Sequence, residues 1–168
     1  MTIQVPTYDH IEEIRELNNK YLITNLTEKE KQNGFLRIEY DQKDLQLIIA
    51  NEEIIIATNE DKVIGYYLIG RKSGKVALDS QKNIATRLLE TYNIPFEQIG
   101  YGAQRCVNEN YRGNGISYQM LSKLCQVVKF KYPILLGFVS IENVVSLKTN
   151  LHDGWKQYES NFYIFENF

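Results

Sequence analysis

Val107-Asn108-Glu109-Asn110-Tyr111-Arg112-Gly113-Asn114-Gly115-Ile116 is the stretch whose reading decides the fold. It joins a run with strand character, residues 99–107, to the best helix of the chain, residues 115–131. In that helix Ile116, Met120, Leu121, Leu124 and Val128 follow the helical period. Glycines at 113 and 115 let the backbone turn tightly and approach a ligand without Cβ clashes. The first amides of the helix have no acceptor within it and point outward with the positive end of its dipole. Such a turn receives a phosphate or pyrophosphate, and it needs free N–H groups more than basic side chains.

Working outward, Tyr132-Pro133 stops the helix, and residues 134–139 are an uncharged apolar run, as in a central strand covered on both faces. Residues 99–139 then form a right-handed parallel β-α-β crossover, although Gly100 and Gly102 weaken its first strand. Upstream, residues 2–5 read as a short strand stopped by Pro6. Asp9 caps a helix whose apolar stripe is Ile11, Ile14, Leu17 and Tyr21. A polar stretch, residues 25–33, leads to Gly34-Phe35-Leu36, and residues 41–49 read as a second short helix. Residues 53–58 and 63–69 flank a polar turn and form an antiparallel hairpin. Residues 80–92 are helical, residues 144–151 form a short helix ending at Gly154, and residues 158–165 read as one closing strand. The order is β-α-α-β-β-α-β-α-β-α-β, with one domain expected over residues 1–168.

Composition narrows the function classes. The 168 residues are 43% hydrophobic and 24% charged, ordinary for a globular protein. A net charge of −2 gives no broad basic field for nucleic acid or an anionic membrane, and Arg71-Lys72 with Lys75 reads as a solvated spot. Cys106 and Cys125 lack CxxC spacing, and His10 and His152 are the only histidines, so no zinc site of the usual kind is expected. No basic-then-apolar leader opens the chain, and no apolar run approaches the roughly 20 residues of a membrane helix. A cytoplasmic setting is the expectation.

Three phosphate-loop readings compete. A Walker loop needs Gly-x4-Gly-Lys-Ser/Thr, which does not occur. A dinucleotide fingerprint needs a third glycine, where this chain has Tyr118. Asn110-Tyr111-Arg112-Gly113-Asn114-Gly115 instead resembles the acyl-CoA loop of the GNAT superfamily of N-acetyltransferases, Gln/Arg-x-x-Gly-x-Gly/Ala, with Asn110 as a departure. A second segment, Asn143-Val144-Val145-Ser146 through Gly154-Trp155, resembles the family's Asn-x-x-Ser/Ala helix and the glycine-aromatic ending after the fifth strand.

The resemblance covers essentially the whole chain and implies an α/β fold, a mixed central sheet splayed between its fourth and fifth strands and flanked by helices. It implies acetyl-CoA as co-substrate, with pantetheine along Cys106 and Val107 and beside Asn143, and pyrophosphate on the amides of Arg112, Gly113, Asn114, Gly115, Ile116 and Ser117. An amine would attack the thioester directly, and a backbone N–H near Val107 would polarise its carbonyl. The family's general-acid tyrosine falls at Asn150, so thiolate protonation is left to Ser146, Tyr158, His152 or water. Glu97 and Glu109 are the nearest carboxylates for a base. Cys106 and Cys125 read as small buried hydrophobes, and His152-Asp153 as a solvated pair. The acceptor side would be bordered by Phe35 and Leu36, with Tyr40, Tyr66, Tyr67, Phe162 and Tyr163 as aromatic walls. The acceptor is an unidentified amine, the chain a monomer or homodimer, and the alternative reading an acyl-CoA-binding sensor that catalyses little.

Overall fold

The computed structural model describes residues 1–70 and 79–168, so the Arg71, Lys72 and Lys75 spot lies outside the described residues. Apolar alternation and turn chemistry set the strands: β1 (Thr2–Gln4), β2 (Ile54–Asn59), β3 (Lys62–Gly70), β4 (Ile99–Val107), β5 (Ile134–Phe138), β6 (Lys156–Glu159) and β7 (Phe162–Glu166). They make one seven-stranded sheet ordered β1-β2-β3-β4-β5-β7-β6, in which β4 and β5 run parallel and every other pair is antiparallel. At the β2–β3 turn Glu60 and Asp61 both take positive φ, 49° and 62°, the twist that suits a two-residue hairpin.

Among the described residues six α-helices flank the sheet: α1 (Ile11–Lys20), α2 (Glu28–Lys31), α3 (Gln42–Ala50), α4 (Asp79–Tyr92), α5 (Ile116–Val128) and α6 (Val144–His152). Ile54-Ile55-Ile56 is wholly buried because both faces of β2 are covered. Ile55 packs under α5, whereas Ile54 and Ile56 pack under α1 and α3. A third cluster joins α4 to β5 and β7 through Leu88, Leu136 and Ile164. Among the described residues no helix is long and apolar enough to cross a membrane.

The sheet opens where the sequence predicted. β4 and β5 pair only over Ile99, Gly100 and Tyr101 against Ile134, Leu135 and Leu136. Leu68 faces Gln104 but Gly70 faces Tyr101, so β4 carries an extra residue there, a bulge that bends it away from β5. The remainder of β4 runs on to Val107 beside an open gap.

Three sequence expectations change. Asp9 does not cap α1; it lies within the 3-10 turn Tyr8–His10, and α1 follows His10 with no side-chain cap. The single closing strand is the hairpin β6–β7, broken where Ser160 turns at φ 47° and Gln157 Nε2 donates to its carbonyl at 2.6 Å. The polar stretch before Gly34 contains α2, one turn held by a capping box in which Thr27 Oγ1 accepts from the Glu30 amide and Glu30 Oε2 accepts from the Thr27 amide.

Candidate functional site

The alternation of a strand fixes which amides face the gap. Asn108 N–H donates to Ile64 O at 2.8 Å, so the N–H of Val107, one residue back, points away from β3. It faces the opening between β4 and β5. The Val107 carbonyl, on the same side, accepts from Arg112 Nε at 2.9 Å.

Beyond β4 the loop is shaped by short-range bonds. Arg112 N–H donates to Glu109 O at 3.3 Å, and Arg112 Nη1 reaches Asn33 O at 2.8 Å while the guanidinium lies over the Tyr21 ring. Arg112 is therefore a strut tying the loop to the segment before Phe35, and the cradle of open amides begins at Gly113. Asn114 Nδ2 folds back onto the carbonyls of Tyr111 and Arg112. Gly113 and Gly115 adopt φ 81° and 70°. Gly115 caps α5, and the first amide bonded within the helix is Gln119, to Gly115 O at 3.1 Å. The amides of Ile116, Ser117 and Tyr118 form its open first turn. A Cβ built on Gly113 meets no atom within 4 Å, so the space in front of the loop is clear.

That loop borders an outer cavity of about 640 Å³, closed opposite by Phe35, Leu36 and the Val145, Ser146, Lys148 and Thr149 side of α6. Cys106 lines it with little exposure; its thiol approaches Leu17 O at 3.9 Å. Burial pushes that thiol up to about 12, against the pull of Arg112 and Lys20, so it is no nucleophile at neutral pH.

An inner cavity of about 290 Å³ occupies the gap itself, between Ala103, Gln104 and Arg105 of β4 and the Gly137–Ser140 side of β5. Phe35, Leu36, Arg105 and Ser146 line both cavities and so stand between the two. Arg105, a charged residue on a central strand, is tied to α6: Nη1 donates to Asn150 Oδ1 and Nη2 to Ser146 O at 3.0 Å. Asp153, 3% exposed, stands 3.9 Å from Arg105 and accepts from Ser117 Oγ at 2.9 Å. A buried ionic network thus couples β4, α6 and the first turn of α5.

Other candidates are placed elsewhere. Tyr158 is not brought to either cavity; β6 is the far edge of the sheet, and its hydroxyl lies 3.4 Å from Thr91 Oγ1. Asn143 is buried as the cap of α6, accepting from the Ser146 amide at 3.3 Å and donating to Phe35 O at 2.8 Å. Its amide group is engaged within the protein, where it positions Phe35 and α6, and the residue lines the inner cavity. Leu36 is fixed by a bonded pair, its N–H to Tyr21 O and its carbonyl from Ile23 N–H, both 2.8 Å. Glu109 pairs with Lys20 at 2.9 Å, a hydrogen bond that holds its carboxyl below the usual range, and neither Glu109 nor Glu97 lines a cavity. His152 lies on the outer cavity, its Nδ1 3.2 Å from Asp153.

Of the aromatic walls expected, Tyr67 lines the inner cavity; Tyr40, Tyr66, Phe162 and Tyr163 are core residues. The Tyr66 hydroxyl accepts from Asn18 and Gln104, both at 2.9 Å, and burial raises its pKa well above the ordinary value. Arg37, Arg105, Phe138 and Trp155 are lining residues that the sequence reading missed. The available signal was Arg105 itself, a charge in a strand covered on both sides.

The splayed strands, the glycine loop and the paired cavities define an open mixed-sheet architecture flanked by helices. The protein has the fold of the GNAT-family acetyltransferases. A GNAT-family acetyltransferase from Staphylococcus aureus Mu50 superposes at TM-score 0.63 with 14% identity, covering 99% of this chain and 98% of that one. The Salmonella typhimurium protein yncA, solved with its cofactor acetyl-CoA, gives 0.64 at 12% identity over 99% and 94%. Ribosomal-protein-alanine N-acetyltransferase from Brucella melitensis gives 0.62 at 15% identity over 99% of both chains. No family model and no curated protein matches the sequence.

Proposed function

We propose that the protein transfers an acetyl group from acetyl-CoA to a primary amine of a small molecule or peptide, by direct attack in a ternary complex. The observation that carries this is that Val107, whose N–H points away from β3, and the glycine loop with the open first turn of α5 line the same outer cavity, beside the β4–β5 gap. The loop amides take the pyrophosphate, and the region of Arg105 and Ser146, between the two cavities, admits the pantetheine arm. The Val107 N–H stabilises the negative charge that develops on the thioester oxygen. The amine nitrogen bonds to the carbonyl carbon, the carbon–sulfur bond breaks, and the amine's proton leaves to water.

Ser146, lining both cavities, is the hydroxyl available to the departing thiolate, and the fixed charge of Arg105 favours that thiolate. Tyr158 has no part in this reading. The absence of any carboxylate among the described inner-cavity residues favours a second reading, an acyl-CoA-binding module that catalyses little. One experiment separates them. Acetyl-CoA is expected to raise the melting temperature by mass action, and release of free CoA thiol on adding amines marks the enzyme. A thermal shift without thiol release, across a broad amine panel, supports the module. A shift with ATP or NAD but none at millimolar acetyl-CoA overturns both.

A further inference from the structure

The inner cavity is biased toward donors. Its described lining includes two guanidinia, Arg37 and Arg105, and no Asp or Glu side chain.

The two arginines are not equivalent. Arg105 is held by Asn150, Ser146 and Asp153. Arg37 stands half-exposed at the rim. Its Nη2 donates to Ser140 Oγ at 3.2 Å and to Glu142 at 3.3 Å, and its guanidinium lies over the Phe35 ring. Glu142 is more exposed still and is not part of the cavity wall, and ion pairs of this kind are weakly held. Among the described residues Arg37 Nε and Nη1 have no hydrogen-bond partner, so an N–H on either side of the engaged Nη2 is left to a carboxylate that displaces Glu142.

We propose that the acyl acceptor is a small amine bearing a carboxylate, of amino-acid type, whose carboxylate is gripped by Arg37 and Ser140 at the rim while its amine enters the gap. This rests on the acyltransfer reading above. A cavity of about 290 Å³ lies at the small end of ligand sites and suits such a molecule better than a folded segment.

The test compares kcat/KM, with acetyl-CoA saturating, for an apolar amino acid, its carboxamide and the amine lacking that group. The carboxylate form is expected to lead its carboxamide by roughly ten- to a hundredfold, the range for hydrogen bonds to a charged group. Arg37→Gln is expected to bring that ratio near one, and Arg37→Lys to restore part of it. Equal use of the carboxamide, or a preference that survives Arg37→Gln, overturns the inference. Where no amine turns over, calorimetric titration of the same compounds into the CoA-saturated protein decides: loss of all carboxylate-dependent binding sinks the inference. Failure of acetyl-CoA itself to bind sinks instead the reading on which it rests.

Discussion

Arg105→Met tests the network that holds the cleft together. The guanidinium is mostly buried and serves Asn150 Oδ1, Ser146 O and the Asp153 carboxylate. Methionine keeps much of the volume but leaves Asp153, 3% exposed, with its charge uncompensated by Arg105. Removing one partner of a buried pair typically costs about 3–5 kcal/mol. Here the pair is 3.9 Å apart and borders two cavities that admit water, which argues for the lower end, about 3 kcal/mol. For a chain of this length that lowers Tm by roughly 6–12 °C. Urea unfolding at constant m-value gives the free energy directly. Arg105→Met with Asp153→Asn removes both charges, and the double variant is expected to cost about as much as either single one, a coupling of about 2–3 kcal/mol. A single variant within about 0.5 kcal/mol of the parent, or strictly additive losses, would refute the network.

Gly115→Val puts a β-branched residue at φ 70°, where left-handed backbone costs about 1–2 kcal/mol or more, while its Cβ meets only Gln119 Nε2 at 3.9 Å. The variant is expected to fold with a modestly lower Tm and to lose CoA affinity by roughly tenfold or more; unchanged affinity in a CoA titration would remove the loop from the site. Cys106→Ala is expected to keep most of its turnover, with a modest packing loss, and a trapped acetyl adduct on Cys106 in the parent would force a two-step mechanism instead. Because the folded thiol titrates near about 12 and its ordinary value is 9.0, it contributes stability present below pH 9 and lost as pH rises toward 12. Cys106→Ala should flatten that part of the stability profile; an unaltered alkaline limb contradicts the burial argument.

The parts of the fold that were legible are those encoded in local spacing. The helical stripe from Ile116 to Val128 and the uncharged run from Ile134 onward each identify an element within a few residues, and together they place the crossover, while the gap was expected only from the family resemblance. The closing hairpin was missed because β6, Lys156–Glu159, is polar apart from Tyr158 and so gives no strand pattern of its own, and no glycine or proline marks the turn at Ser160. Side-chain roles depended on contacts between residues far apart in the chain. The Arg112 amide was expected on the pyrophosphate from its place in the loop, yet that N–H donates to Glu109 O, and its guanidinium reaches Val107 O and Asn33 O, the latter 79 positions away. Asn143 looked available until the Phe35 carbonyl was set against it.

Asn150 shows why a motif position and a chemical role separate. On the sequence it is a gap in the chemistry that the resemblance implies, an amide at the position expected to hold a phenol. In the fold it is 6% exposed, and its side-chain oxygen accepts from Arg105. Asn150 on α6 is therefore matched by Arg105 on β4, whose guanidinium stays charged at every working pH. In the proposed transfer that cation would favour a leaving thiolate by charge but could not supply a proton, which would leave the proton to Ser146 or solvent. The charge of Arg105 is answered by buried Asp153, whereas Arg37 at the rim is answered only by exposed Glu142. A carboxylate held at Arg37 links the composition of the chamber wall to the class of molecule proposed to enter it.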